Sequence, residues 1–209
     1  MPDIEVFRLD PRSNQVEHTI KLHTGRPGTG SVQSYVAYSQ GALWVSNPSV
    51  DAVWRVDPDG KTVTETIPRP VVPTFPGEGI AVGEGAVWVN GTDDVTRIDP
   101  STNSTATIEV RNALGGVAAG EGGVWTVDGI DGTLWRIDLM REQAQRTIQV
   151  GDGPRGVAVG AGSVWVANSA DGTVSRVNPS TNEVVNTIEV GGAPNGIAVG
   201  EGAVWVTVG

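Results

Sequence analysis

GVAVGAGSVWVANSADGTVSRVNPSTNEVVNTIEV, residues 156–190, is the stretch whose reading decides the fold. It divides into short runs rich in Val, Ile and Thr, separated by Gly, Asp-Gly and Asn-Pro, and none of the runs keeps a helical period. β-rich runs punctuated by turn residues predict an antiparallel meander, here of four strands. The second run carries a Trp and the third an Arg, eleven positions apart at Trp165 and Arg176.

Working outward, the same unit recurs. GALWVSN (41–47), GAVWVNG (85–91), GGVWTVD (122–128), GSVWVAN (162–168) and GAVWVTV (202–208) align, with Trp44, Trp88, Trp125, Trp165 and Trp205 separated by 44, 37, 40 and 40 positions. A self-similar period near 40 residues is the signature of a repeat architecture, and four short strands per repeat point to the blades of a β-propeller. The expected third strands read AVWRVDP, DVTRIDP, TLWRIDL and TVSRVNP, and the fourth TVTETIP, STATIEV, QAQRTIQV and VVNTIEV.

The last repeat stops after its second strand, while EVFRLDP (5–11) and QVEHTIKL (15–22) match a third and a fourth. The expectation is therefore all-β: a five-bladed β-propeller of four-stranded antiparallel blades in a single domain, 1–209. The blades fall at about 34–70, 79–110, 116–150, 156–190, and 196–209 joined with 4–22. The ring is expected to close by N-terminal outer strands pairing with C-terminal inner strands, which would remove an exposed sheet edge. A fragment of a larger propeller or an engineered ring, with a purely structural or assembly role, is the alternative.

Composition bounds the function. The 209 residues carry 29 Gly, 13 Pro, 7 Trp and no Cys, with a net charge of −10. No Cys excludes disulfides, thiol catalysis and Cys-based metal sites. An acidic chain without a long apolar run points away from nucleic acid and from a membrane, and toward a small molecule or a protein as partner. A monomer is expected, with oligomers through the half-blades as the alternative. MPDIEVFRL has no basic segment followed by an apolar run, so a secretory signal is not expected; the compartment of a parent protein stays open.

The units GxPxGIAVGEGAVWV, TVSRVNPSTN and VVNTIEV resemble the YVTN and NHL-type propeller repeats, especially those of virginiamycin B lyase-like proteins, over nearly the whole chain. The resemblance implies a propeller fold. For the lyases of that family it also implies a divalent metal and His and Glu near the ring axis, acting in an elimination. The two histidines here do not fit that pattern. His18 lies in an outermost strand beside Glu17, and His23 begins a loop without a repeat-aligned His or Glu partner. No catalytic residue is assigned and no cofactor is expected, a divalent metal being left open. A metal-dependent C–O lyase is the alternative function to a non-catalytic binding scaffold.

Residues that repeat once per blade are read as packing. This covers the five Trp, and Arg8, Arg55, Arg97, Arg136 and Arg176, whose guanidinium groups are expected on turn carbonyls or on the Asp carboxylates at the base of each blade. Glu84, Glu121 and Glu201 fall in hairpin turns and are expected to face solvent. Asp57 to Gly60 and Asp99 to Asn103 are expected to be plain turns rather than calcium loops. Binding is sought where equivalent positions diverge. Just before the inner strand the blades carry Ser34, Glu78, Gly115, Arg155 and Asn195, expected to ring the channel mouth, with Ser34, Glu78, Arg155 and Asn195 as ligand-binding candidates. Asp3, Asp51, Asp93, Asp94, Asp128, Asp131 and Asp171 form an expected acidic rim able to concentrate a cation. The Pro-rich and Gly-rich segments 23–33 and 68–79 flank the first complete blade.

Overall fold

The computed structural model describes residues 4–22, 34–47, 52–59, 62–69 and 79–209. The chain divides into two compact units, Met1–Val71 and Val72–Gly209. In the first, β1 (Ile4–Asp10) and β2 (Gln15–Leu22) form a hairpin. β3 (Tyr35–Ser39), β4 (Ala42–Asn47), β5 (Ala52–Asp57) and β6 (Thr62–Pro68) form a four-stranded antiparallel sheet in chain order. The second unit repeats that sheet three times: β7 (Ile80–Gly83), β8 (Ala86–Asn90), β9 (Asp94–Ile98) and β10 (Thr105–Glu109); β11 (Val117–Gly120), β12 (Gly123–Asp128), β13 (Thr133–Asp138) and β14 (Gln143–Gln149); β15 (Pro154–Gly160), β16 (Ser163–Asn168), β17 (Thr173–Asn178) and β18 (Glu183–Glu189). It ends on the hairpin β19 (Pro194–Gly200) and β20 (Ala203–Val208).

The register within each sheet follows from the alternation of apolar residues and the hairpin turns. In every complete sheet the second-strand Trp faces the third-strand Arg: Trp44 with Arg55, Trp88 with Arg97, Trp125 with Arg136 and Trp165 with Arg176. The turns between first and second strands need a left-handed residue followed by Gly. Glu84, Glu121 and Ala161 take φ of 51°, 54° and 52°, each ahead of a glycine that is also at positive φ.

The core lies between successive sheets rather than within one. In the second unit Trp88, Val95 and Ile108 pack with Val117, Val124 and Ile137 of the following sheet. Trp125, Leu134 and Ile148 pack in turn with Val157, Val164 and Val177. In the first unit Ile20 and Leu22 of the hairpin pack with Val45, Trp54 and Val56. Close approach of the inner strands depends on small residues: a Cβ at Gly120 would lie 2.9 Å from a Val159 methyl, and one at Gly160 2.8 Å from a Val199 methyl.

The expected closed five-bladed ring is not formed. The segments 4–22 and 196–209 do not make a four-stranded blade: β1 pairs with β2 and β19 with β20, as separate two-stranded sheets, and no strand pairing among the described residues joins the N-terminal strands to the C-terminal ones. The exposure of Trp205 agrees with this, at 64% against 0% for Trp44 and Trp125. Hairpins join residues a few positions apart and form at little chain-entropy cost, so a local pattern determines them. A closing sheet would have to join strands nearly two hundred positions apart, and matching strand patterns do not fix the angles between intervening blades. What stands is an all-β architecture of blade-like antiparallel sheets.

Burial of a Trp between sheets removes on the order of 200 Å² from water. Trp125→Ala is therefore expected to cost about 3–5 kcal/mol in denaturant unfolding. Met140→Ala, in a turn where the side chain is 93% exposed, should stay within about 0.5 kcal/mol of the parent. Equal effects of the two substitutions would contradict the placement of the core.

Candidate functional site

The backbone of the second unit sets up one row of equivalent positions. Gly115 precedes β11, while Arg155 and Asn195 sit one residue into β15 and β19. The row is held by direct backbone contact between neighbouring sheets. Gly116 N donates to the Arg155 carbonyl at 2.7 Å, and Gly156 lies so close to the Asn195 carbonyl that a side chain there would collide with it. Gly115 is fixed by packing in the same way, since a Cβ would run into Val127 and the Arg155 carbonyl. The divergence at that position is therefore explained by space. Arg155 and Asn195 differ: both are exposed, and neither side chain makes a hydrogen bond or ion pair among the described residues. Ser34 is exposed just ahead of β3 in the first unit and is engaged in an interaction. Glu78 lies outside the described residues.

Beneath the row is a polar layer that the search for divergent residues passed over. The last residue of each Trp strand is Asn or Asp in the complete sheets, at Asn47, Asn90, Asp128 and Asn168. Asn90, fully buried, donates its Nδ2 to the carbonyls of Ala113, at 3.0 Å, and Gly115, tying its sheet to the start of the row. The Asp128 carboxylate accepts from Ile130 N and Asp131 N at 2.9 Å, and from Asn112 Nδ2 at 3.3 Å. Asn168 Nδ2 donates to Thr173 and Ser175 hydroxyls at 2.9 Å. A buried polar residue recurring at the end of an otherwise apolar strand needs partners, and for Asn90 the partners are the carbonyls that lead into the row.

The expected acidic rim is largely engaged in turns. Asp93 Oδ1 accepts from Asn112 N at 2.9 Å and Asp171 Oδ2 from Asp152 N at 2.7 Å. Asp94 is buried and accepts from the Thr96 hydroxyl at 3.1 Å. Among the described residues no three His, Asp or Glu come together as a cation site. Asp3, Asp51 and His23 lie outside those residues. His18 is half-buried on β2, opposite Arg8.

The repeated Arg residues do something more than brace their turns. Arg55, Arg136 and Arg176 stack over Trp44, Trp125 and Trp165, 5.4, 5.0 and 5.2 Å from the ring centroids. Arg136 also donates to the Pro179 carbonyl at 2.7 Å and to Asn182 Oδ1 at 2.9 Å, reaching the third-to-fourth-strand turn of the next sheet. In the first unit Arg8 makes the matching bond to Asp59 at 2.9 Å. Turn carbonyls and a turn carboxylate are thus partners as expected, while Asp138, two positions after Arg136, accepts from the Met140 and Arg141 N–H groups of its own turn. Two of the turn glutamates are exposed, as expected, and also bridge to the next sheet. Glu84 and Glu121 accept from the Gly122 and Gly162 N–H groups of the following sheet at 3.1 and 3.0 Å.

The first unit holds a second feature, a cavity of about 510 Å³ lined by Val6, Arg8, Ile20, Val36, Tyr38 and Leu43 among others. Its size falls in the range of small-molecule sites and its walls are mostly apolar. Phe7, Val36 and Tyr38 at its edge are 54%, 55% and 63% exposed.

With this geometry in place, comparison with known proteins is informative about fold. No family model and no curated protein matches the sequence. Solved structures do match. Virginiamycin B lyase from Staphylococcus aureus superposes with a TM-score of 0.78 at 16% identity, over 98% of this chain and 70% of that one. The WD40 repeats of RRP9 give 0.76 at 13%, over 97% and 66%. Kuenenia stuttgartiensis hydrazine synthase gives 0.68 at 20%, over 78% of this chain and 50% of its own, so the chain spans half that protein's length. These likenesses establish an all-β, propeller-like fold of the virginiamycin-lyase and WD40 kind, and not a YVTN or NHL repeat identity.

The turns closing the third strands make a pH prediction. Asp10, Asp99 and Asp138 have carboxyls held below the usual 3.8. The leading causes are the Arg12 N–H for Asp10, the Ser101 hydroxyl for Asp99 and the Arg141 N–H for Asp138. Asp99 is thereby a turn residue, bonded to Ser101 and Thr102, as expected of a plain turn. The unfolded chain binds these protons more readily, so the stabilisation is complete above pH 3.8 and is lost as pH falls through the depressed values. Carbon-detected NMR titration should place the three carboxyls below the usual aspartate value, and Asp99→Asn should flatten the acid limb of the stability curve. An unchanged acid limb in that variant would contradict the assignment.

Proposed function

We propose that the chain is a non-catalytic binding scaffold whose recognition surface includes Arg155 and Asn195. The observation that carries this reading is a contrast between neighbouring positions. Gly116 and Gly156 are glycines where neighbouring sheets touch, whereas at Arg155 and Asn195, each one residue before a glycine, a guanidinium and an amide stand exposed on strands with no side-chain partner among the described residues. A planar guanidinium recognises a carboxylate in two-bonded fashion, and an amide offers both a donor and an acceptor. Together they suit a small carboxylate-bearing, peptide-like ligand or the equivalent group on a protein. Ser34 and Glu78 remain candidates by repeat position alone.

Binding is favoured over metal-dependent elimination because three of the described acids of the rim, Asp93, Asp128 and Asp171, already accept hydrogen bonds from backbone N–H groups, and Asp94 is buried against Thr96. The propeller-like fold is shared by binding proteins and enzymes alike, so the site residues and not the fold support this choice.

A panel of N-acetylated dipeptides and small dicarboxylates, screened by ligand-detected NMR, tests the proposal. A hit should lose roughly 10- to 100-fold in affinity on Arg155→Ala, the scale of a hydrogen bond to a charged group. The melting temperature should not move, because only the backbone carbonyl of Arg155 serves the fold. Binding that survives Arg155→Ala and Asn195→Ala together, or turnover of a cyclic depsipeptide that EDTA abolishes, would defeat it.

A further inference from the structure

The two half-blades carry opposite deficits, and the complete sheet boundaries of the second unit show what would fill each. At those boundaries the inner strand of one sheet presents small residues and the next inserts larger ones: Gly116 and Gly120 receive Val157 and Val159, and Gly156 and Gly160 receive Ile197 and Val199. A turn glutamate reaches the glycine N–H of the following sheet, and a third-strand Arg reaches the following third-to-fourth-strand turn. In the first unit only the outer part of this arrangement is present. Arg8 of β1 reaches Asp59, in the turn after β5, as Arg136 reaches Asn182. The hairpin β1–β2 is thus docked as the outer half of a blade preceding β3–β6. Among the described residues no strand pairs with the other edge of β1, and the 510 Å³ cavity is lined there by Val6 and Arg8 of β1 and by Val36 and Tyr38 of β3, the last two exposed.

The hairpin β19–β20 is the reverse case. Gly196, Ala198 and Gly200 are exposed on β19, and a Cβ at Gly200 would meet nothing. Trp205 is 64% exposed, without the stacked Arg that covers Trp125 and Trp165. Among the described residues β20 pairs with β19 alone.

We propose that these surfaces join two copies of this chain: the β19–β20 hairpin of one copy seats in the β1–β3 cavity of another. β20 pairs with β1 to complete a four-stranded sheet across the chains, and Trp205 passes under Arg8. Val36 and Tyr38 lie over Gly196, Ala198 and Gly200, and the Glu201 carboxylate faces Gly41 N. A second copy is the occupant because it carries each missing partner at its repeat position: the small inner strand, the Trp and the turn glutamate. Strand addition supplies main-chain hydrogen bonds and the apolar faces supply specificity. The contact is heterologous, so each copy has one donor end and one acceptor end and assembly can continue.

The test uses variants that block one end each. Gly200→Trp fills the small face of β19 at a site with open space, and Val36→Arg places a charge in the cavity at a residue already 55% exposed. Circular dichroism and melting curves should show both folded. By sedimentation velocity the parent chain should exceed 21.7 kDa with rising concentration, each variant alone should sediment as a monomer, and an equimolar mixture should form a 1:1 dimer through the unblocked ends. Three results would overturn the proposal: a parent chain that stays monomeric at its highest soluble concentration with Trp205 open to acrylamide quenching, a monomer in which Trp205 is protected, or variants that assemble alone as the parent does. The first would leave the cavity to a small ligand.

Discussion

Everything in the second unit rests on how closely neighbouring inner strands approach. Gly120 against Val159 and Gly160 against Val199 leave no room for a Cβ, and the Trp rings fill the wider space behind them. A β-sheet that is apolar on both faces cannot stand alone in water, so each one needs a neighbour, and its neighbour needs the next. The repeat thus works as a chain of nearest-neighbour contacts. Within each contact the small residue decides the spacing, and the spacing decides which polar groups can bridge.

Those bridges serve the apolar interlock and do not replace it. Glu84 and Glu121 satisfy backbone N–H groups of the next turn, and Arg136 satisfies a carbonyl and an amide of the next sheet while its guanidinium lies on Trp125. In water such bonds contribute modestly, on the order of 1 kcal/mol each, but they are directional. They specify the register in which one blade meets the next. Where Ala161 replaces the glutamate, the corresponding bridge to the following hairpin is missing, although Val199 still packs on Gly160.

The same close approach underlies the proposal that Arg155 and Asn195 serve recognition. Their backbone carbonyls are pressed against the preceding sheet, so their side chains leave from fixed points, one residue before positions that packing reserves for glycine. Strand-borne groups of this kind lose little freedom on binding, in contrast to groups on long loops. The buried Asn90 holds the Ala113–Gly115 carbonyls next to Gly116, whose N–H bonds the Arg155 carbonyl.

The sequence by itself determined the strands, their order within each blade and the Trp–Arg register, because all of these depend on contacts between residues a few positions apart and on the turn chemistry of Gly, Asp and Asn. It also marked Arg155 and Asn195, since divergence at one point of a repeat stands out in an alignment of the repeat with itself. It did not show that Gly115 is fixed by Val127 and a neighbouring carbonyl, that Glu84 and Glu121 bridge sheets, or that Asp93, Asp128 and Asp171 are engaged by backbone N–H groups. Closure of the ring was beyond it too: 196–209 and 4–22 match as halves of a blade, yet β1–β2 and β19–β20 stand as separate hairpins. Such features depend on angles and distances between blades, which accumulate along the chain and leave no periodic trace in it, so only the tertiary structure decided them.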